Sequence, residues 1–448
     1  MGSLSLHDLW KRLKVIDDAG LVISWMTRII CTQNVYRYLA AARRKMIGVE
    51  ANMKKKVLVV YDSMITGGTT TAIIPFLKAL SERYEVDLLL GMHDGECMDS
   101  IPASVNLLPA ARIRKKGMSI LQKAALLKPA MRSTFVYFRR KKDLSVAGLK
   151  KYVLNDLLLF YLSRSAEKHY DVAIGFIAGW ADQYTALCTN ADKRVAWIHA
   201  QIDYIVSEPE QERKWMDKID KFVFVTKSNQ DKFDVMFPEY SSRSMVFENI
   251  IDVDRIRNNA LIIPENEMYR SFVSFTGLKM VTVCRLTENI KGLDRVVRCA
   301  RILKENGVSF KWYILGDGDD RAAIANRIRE NDVEDSLFLC GNIPNPFPYV
   351  KKADLFVLLS RFEGKPICVT EALVLGIPSI VTKYPSAEEQ IVHGKNGFVI
   401  ENNDDAVDHF MVDLAKRKID YLYLRKRMLE RPFTIADPMK DIIKVIED

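Results

Sequence analysis

From Met53 onward the chain alternates short β-branched or aliphatic runs with longer stretches whose apolar positions recur at helical spacing. The runs "KVLVVYD", "EVDLLLG", "DVAIGFI", "RVAWIHA", "KFVFVTK" and "SMVFEN" are largely continuous rather than alternating. Strands of that kind are covered on both faces, as parallel strands layered between helices are. The same grammar restarts after about residue 250, with "KMVTVCR", a helix from 292, "FKWYILGDG", a helix from 320, "SLFLCG", "DLFVLLS", a helix from 366, "PSIVT" and "NGFVI". The pattern predicts two doubly wound α/β domains in tandem, over 53–245 and 246–425. They join near 245–265, where "NNALIIPENEMYRS" interrupts the rhythm. Residues 426–448 read as a final helix returning to the first domain. Open parallel sheets bind ligands at the carboxyl ends of their strands, so two facing domains make a cleft, and chemistry is expected there.

Composition sharpens this picture. The 448 residues, 48% of them apolar, suffice for two to four domains with sizeable cores. The seven cysteines are scattered and never form a Cys-x-x-Cys pair, so neither a disulfide framework nor a zinc site is indicated, and a reducing cytosol fits best. No apolar run reaches the roughly 18 residues that span a bilayer. The best leader candidate, "LVISWMTRIIC" at 21–31, is short, contains Arg28 and follows three aspartates, which argues against a secretory signal. The basic "MKKK" at 53–56 runs straight into the first strand. Residues 1–52 are therefore read either as an extension outside the main fold or as an annexed helical element.

The net charge of +9 is concentrated. Residues 112–151 carry thirteen cations, among them Arg139, Arg140, Lys141 and Lys142, against the single anion Asp143, so the rest of the chain is net negative. Apolar residues lie between these charges at near-helical spacing. This suits an amphipathic element on an anionic membrane or lipid-linked substrate; a solvated helix face is the plainer reading. Nucleic acid is a third reading, with no zinc-finger spacing and no aromatic RNA-binding motif to support it.

Four residues in the second half sit where strands end. Arg285 closes "MVTVCR" and Lys291 follows just before Gly292 and a helix; Glu363 closes "DLFVLLSRFE" and Glu371 lies in the next helix. Two cations with a helix N-terminus are what a diphosphate needs: fixed positive charge and free backbone N–H groups. A carboxylate at the same rim can accept two hydrogen bonds from a vicinal diol. Spacing alone is weak evidence, since Glu-x7-Glu occurs by chance in many helices: Glu363 and Glu371 could be two surface charges, an acid/base pair or metal ligands. Asp317-Gly-Asp319 could be a metal-binding Asp-x-Asp or a turn lining a nucleotide pocket. His93, His169, His393 and His409 lack partners at ligand spacing.

The ordered set "TGGTTTAIIPFLKAL" (66–80), "WIHAQIDY" (197–204), "FVFVTKSNQDKF" (222–233), "VFENIID" (246–252), "VCRLTENIKGLDRVV" (283–297), "YILGDGDD" (313–320) and "FEGKPICVTEALVLGIPSIVT" (362–382) resembles the retaining family 4 glycosyltransferases of GT-B fold, particularly those of bacterial capsular and exopolysaccharide synthesis. The resemblance covers roughly residues 53–420. It implies two Rossmann-like domains, the first for acceptor and the second for a nucleotide-sugar donor. Arg285 and Lys291 then match the basic pair on the donor diphosphate, and Glu371 the ribose-binding Glu. Glu363 matches the Glu beside the transferred sugar, His199 the first-domain histidine near that sugar, and Gly67 and Gly68 the glycine loop at the reaction centre. With Gly364 they complete the donor set.

The chain departs from the commoner Glu-Gly-Phe-Gly at Lys365 and Pro366. Proline lacks an N–H, which leaves Ile367 and Cys368 to supply the helix-end donors. "YPSAEEQ" (384–390) replaces a glycine pair. The resemblance implies a metal-independent enzyme with no cofactor beyond its donor substrate, a UDP-sugar. The expected acceptor is a glycan or lipid-linked molecule, with no nucleic acid partner, at the inner face of the cell membrane. A nucleotide-sugar epimerase and a non-catalytic nucleotide-sugar-binding scaffold are the alternative readings.

Overall fold

The computed structural model describes residues 54–111, 168–205, 209–430 and 439–447. The segments 1–52 and 112–151, the latter with Arg139, Arg140, Lys141 and Lys142, lie outside the described residues. The chain divides between Lys54 and Lys55, and the architecture below belongs to the second unit.

Two all-parallel sheets carry the fold. The first has seven strands in the order β3-β2-β1-β4-β5-β6-β7, formed by Lys56–Tyr61 (β1), Glu85–Leu90 (β2), Asn106–Leu107 (β3), His169–Gly175 (β4), Asn190–Ile198 (β5), Lys221–Phe224 (β6) and Ser244–Val246 (β7). The second has six strands in the order β10-β9-β8-β11-β12-β13, formed by Leu278–Val283 (β8), Phe310–Leu315 (β9), Leu337–Leu339 (β10), Leu355–Leu358 (β11), Ser379–Thr382 (β12) and Gly397–Ile400 (β13). Both are doubly wound: the order reverses between β1 and β4 in one sheet and between β8 and β11 in the other. Each reversal opens a crevice at the carboxyl ends of those two strands. The apolar runs are strands because both faces are covered; Val57, Val59, Val60, Phe356, Val357 and Leu358 are fully buried.

The first core is built around aromatic rings. Phe76 lies 4.7 Å from both Phe176 and Trp197, and Trp197 lies 4.8 Å from Phe247. Such pairs contribute about 0.5–1.5 kcal/mol each beyond their buried area. The final helix, Met439–Glu447, packs Ile442, Val445 and Ile446 into this same core. Glu447 accepts hydrogen bonds from Arg83 (3.1 Å) and Tyr84 (3.0 Å).

Two regions differ from the sequence reading. The two-residue strand β3 carries too short a pattern to register. The interrupted stretch at 258–271 is half helical: Val253–Asn259 and Glu267–Ser274 start from side-chain caps, Asp252 accepting from Arg255 N (2.9 Å) and Asn266 from Tyr269 N (2.8 Å). Caps satisfy the orphan N–H groups of a short helix, whereas seven or eight residues give little periodicity to read.

Candidate active site

The second sheet sets up its crevice with short, braced connections. After β8 come Cys284 and Arg285, a one-turn helix Glu288–Lys291, and Gly292 in the left-handed region (φ 63°). A Cβ on Gly292 would lie 2.2 Å from Leu359 O, so only glycine lets the chain turn there beside β11. Across the crevice, Arg361 grips Asp294 with both guanidinium nitrogens (2.7 and 2.6 Å), and its backbone N–H donates to Ile290 O (2.8 Å). Burial works to raise the Asp294 carboxyl, but Arg361 outweighs it and holds it below the usual range.

This brace brings Lys291 and Glu363 together. Lys291 Nζ lies 2.7 Å from Glu363 Oε1, which also accepts from Ser360 Oγ at 2.7 Å. Burial works to pull the Lys291 amine down, and the Glu363 carboxylate more than offsets it, so the ammonium is retained. Arg285 is exposed, and a Cβ on Gly67 would sit 3.8 Å from its guanidinium. Gly67 and Gly68 begin the helix Gly68–Arg83, and Gly68 faces open space. The glycine loop and Arg285 thus meet across the cleft.

The helix Ile367–Val374 follows Pro366, and no side chain caps its start. Ile367 buries in the core of the first sheet. Burial pushes the thiols of Cys284 and Cys368 far up, to about 12 for Cys284, so both are protonated and poor nucleophiles. Glu371, one turn further, has its carboxyl pushed up to about 7 by burial, against the opposing pull of Arg255.

His199 follows β5 in the first sheet. It is nine-tenths buried against Phe176, with ring centres 4.7 Å apart, and its Nε2 has no hydrogen-bond partner. Burial pulls the imidazole down to about 3, so it is neutral at ordinary pH. Its backbone oxygen lies over Gly364, where a Cβ would approach it to 2.5 Å. Beside it Gln201 donates to Glu363 O at 2.6 Å, and Ser386 donates to Gly364 O.

Further contacts join the two sheets. The buried Lys365 lies 2.9 Å from the exposed Glu248. Glu389 accepts from the backbone N–H of Lys227 (3.0 Å) and Ser228 (2.9 Å), at the start of the helix Lys227–Met236. The stretch "YPSAEEQ" thus fastens one domain to the other, and Gln390 donates to Pro366 O (3.1 Å).

The fold therefore gathers Arg285, Lys291, Glu363, Glu371, Gly364, Ile367, Cys368, His199, Gly67 and Gly68 around one cleft. Asp317 instead accepts from Gly318 N (2.8 Å) in a turn, and among the described residues no group of three His, Cys, Asp or Glu could hold a metal ion. His93 bonds to Leu108 O, His169 to Asp192, His393 to Val399 N and His409 to Asp405 O. Sequence reasoning missed Gln201, Ser360, Glu389 and the Arg361–Asp294 brace. Ser360 and Arg361 could have been found as neighbours of a strand end; nothing local pairs Gln201 with a residue so far along the chain.

Among the described residues no helix is long and apolar enough to cross a membrane. Residues 272–427 match the family Glycosyl transferases group 1. Over 152 residues, 32% of this chain, the protein is 33% identical to the amylovoran biosynthesis glycosyltransferase AmsK of Erwinia amylovora, a match spanning 37% of that protein's length. Among solved structures, TarM has a TM-score of 0.60 at 12% identity, covering 89% of this chain and 100% of its own. HepE of Anabaena in complex with UDP has a TM-score of 0.54 at 14% identity, covering 84% and 98%. This is a protein of GT-B fold whose residues 272–427 match the group 1 glycosyl transferases and which is similar there to a glycosyltransferase of bacterial polysaccharide synthesis.

Proposed function

We propose that the protein transfers a sugar from a UDP-sugar to a glycan or lipid-linked acceptor in cell-envelope polysaccharide synthesis, with retention of configuration and without a metal ion. The observation that carries this reading is the convergence of Lys291, Arg285 and the uncapped helix at Ile367 on the crevice between β8 and β11, with His199 and the glycine loop facing them. Breaking the sugar–phosphate bond leaves charge on the β-phosphate oxygens. Fixed cations and N–H groups aimed there stabilise the transition state more than the ground state. Arg285 and Lys291 would supply the positive charge that a divalent ion supplies elsewhere. Because Pro366 has no N–H, Ile367 and Cys368 provide the helix-end donors.

Glu371 in its ionised form would clamp the ribose diol, and Glu363, held by Lys291 and Ser360, would meet the transferred sugar. His199, neutral and without a partner on Nε2, is suited to a hydroxyl of that sugar rather than to proton transfer. Among the described residues of this cleft the Cys284 and Cys368 thiols are protonated and Glu363 Oε1 already accepts from Lys291 and Ser360, which disfavours a covalent nucleophile. Retention would then follow from attack on the face the phosphate leaves, with that phosphate taking the acceptor proton. A closed cleft keeps water from hydrolysing the donor. HepE, whose structure holds UDP, supports the choice of nucleotide.

A thermal-shift panel of UDP-, GDP- and ADP-sugars tests the donor, since a ligand far above its Kd raises the melting temperature. Stabilisation by UDP-sugars alone is expected; no shift with any nucleotide sugar would remove the reading. Product formation should survive EDTA. Donor turnover without acceptor would instead indicate an epimerase.

A further inference from the structure

Helix Tyr421–Glu430 is seated by Leu424 and Met428, buried one turn apart. Asp420 caps it, its carboxylate accepting from Tyr423 N at 2.9 Å. That seating fixes which side chains face outward. At 100° per residue, Lys426 falls opposite the buried pair, with Leu422 and Glu430 about 40° and Leu429 and Tyr423 about 60° to its two sides. Leu422, Tyr423 and Leu429 are 60%, 56% and 60% exposed. Single apolar residues on a surface need no explanation, but three large ones sharing a helix face do.

Cations accompany them. Lys426 stands between the two leucines, and Arg427 lies 5.6 Å over the Tyr423 ring. Lys416 and Arg417 are exposed in the turn before the helix. Tyr423, Lys426, Arg427 and Glu430 line a shallow open pocket. Of the described anions nearby, Asp420 serves as the cap and Asp413 is paired with Lys418 at 2.7 Å, and Glu430 opposes the cations.

We propose that this face of the second domain docks on an anionic lipid surface. Leucine side chains with a tyrosine enter the headgroup boundary, and lysine stems lie along it while their amines reach phosphate. A nucleic acid would use the cations and gain little from the leucines. A second copy across a twofold axis centred here would set Lys426 and Arg427 against their own equivalents. The inference rests on neither the sugar-transfer reading nor the basic segment 112–151.

The full chain is sedimented with vesicles of phosphatidylcholine alone and of phosphatidylcholine with phosphatidylglycerol, and its oligomeric state is followed by light scattering. Binding to the anionic vesicles only is expected. Lys426→Gln with Arg427→Gln should lower the partition coefficient by at least tenfold, at about fivefold per charge. Leu422→Ser should lower it severalfold at constant charge, and it avoids Leu429, which also packs near Gly376. Unchanged melting temperatures confirm that the variants fold. Wild-type partition in both variants, with loss only when Arg139, Arg140, Lys141 and Lys142 are neutralised, would overturn the proposal. So would absence of binding by the parent chain, or a concentration-dependent dimer abolished by Leu422→Ser.

Discussion

The two sheets share one winding order, yet their crevices differ in chemistry. On the β1–β4 side the cleft meets the glycine loop at Gly67 and Gly68 and, from the next strand, a histidine kept uncharged by burial, while Asp62 at the end of β1 accepts from Trp180 Nε1 (2.8 Å). Between β8 and β11 it offers Arg285, Lys291, Glu363 and Glu371. The difference teaches that topology fixes where a ligand goes, while the few residues after each strand fix which part of it is held. In the proposed reaction the charged rim takes the nucleotide diphosphate and the glycine-loop rim takes sugar and acceptor.

Breaking the charged rim should cost most. Arg285→Ala or Lys291→Ala should lower kcat by about two to three orders of magnitude, the scale for losing one transition-state donor. Steady-state kinetics with the donor identified by thermal shift check this, and near-normal kcat in both would detach the diphosphate from that rim.

The meeting of the two rims comes next. Gly364→Ala inserts a methyl 2.5 Å from His199 O, a contact that forces the turn away from the first sheet. A kcat/KM loss of tenfold or more is expected, with a fall in melting temperature of a few degrees, about 1 kcal/mol or more. Gln201→Leu removes one hydrogen bond to Glu363 O; about a fivefold fall in kcat at nearly constant KM would mark it as a positioning residue.

The most gradual effect concerns pH. Glu371 is raised from 4.5 to about 7 in the folded protein. Below about 4.5 the group is protonated folded or unfolded. Between about 4.5 and 7 the unfolded chain ionises first, so this group makes stability fall as pH rises, and above 7 its effect is flat. Donor binding runs the other way, because only the carboxylate accepts both ribose hydroxyls. Affinity should rise about tenfold from pH 6 to 8, following the ionised fraction. Isothermal titration across that range checks it, and Glu371→Gln should flatten the slope.

How legible all this was depended on sequence distance. The strands with continuous apolar runs could be read because each signal lies within a few residues, and the Glu363–Glu371 spacing is likewise local. Winding order follows from strand-after-helix grammar. Gln201 against Glu363, Lys365 against Glu248 and Glu389 against Lys227 unite residues more than a hundred positions apart, and no local pattern encodes them. The helices Val253–Asn259 and Glu267–Ser274 escaped because they depend on one cap and one or two buried side chains each, too little to show as a period.

Glu389 also turns the cleft into something measurable. The helix Lys227–Met236 has its first two amides satisfied by a carboxylate from the opposite domain. When the domains part, those amides lose their acceptor and face water. Their hydrogen-exchange rates then become a clock for opening of the cleft, readable in the unmodified protein and slowed by any ligand that holds it shut.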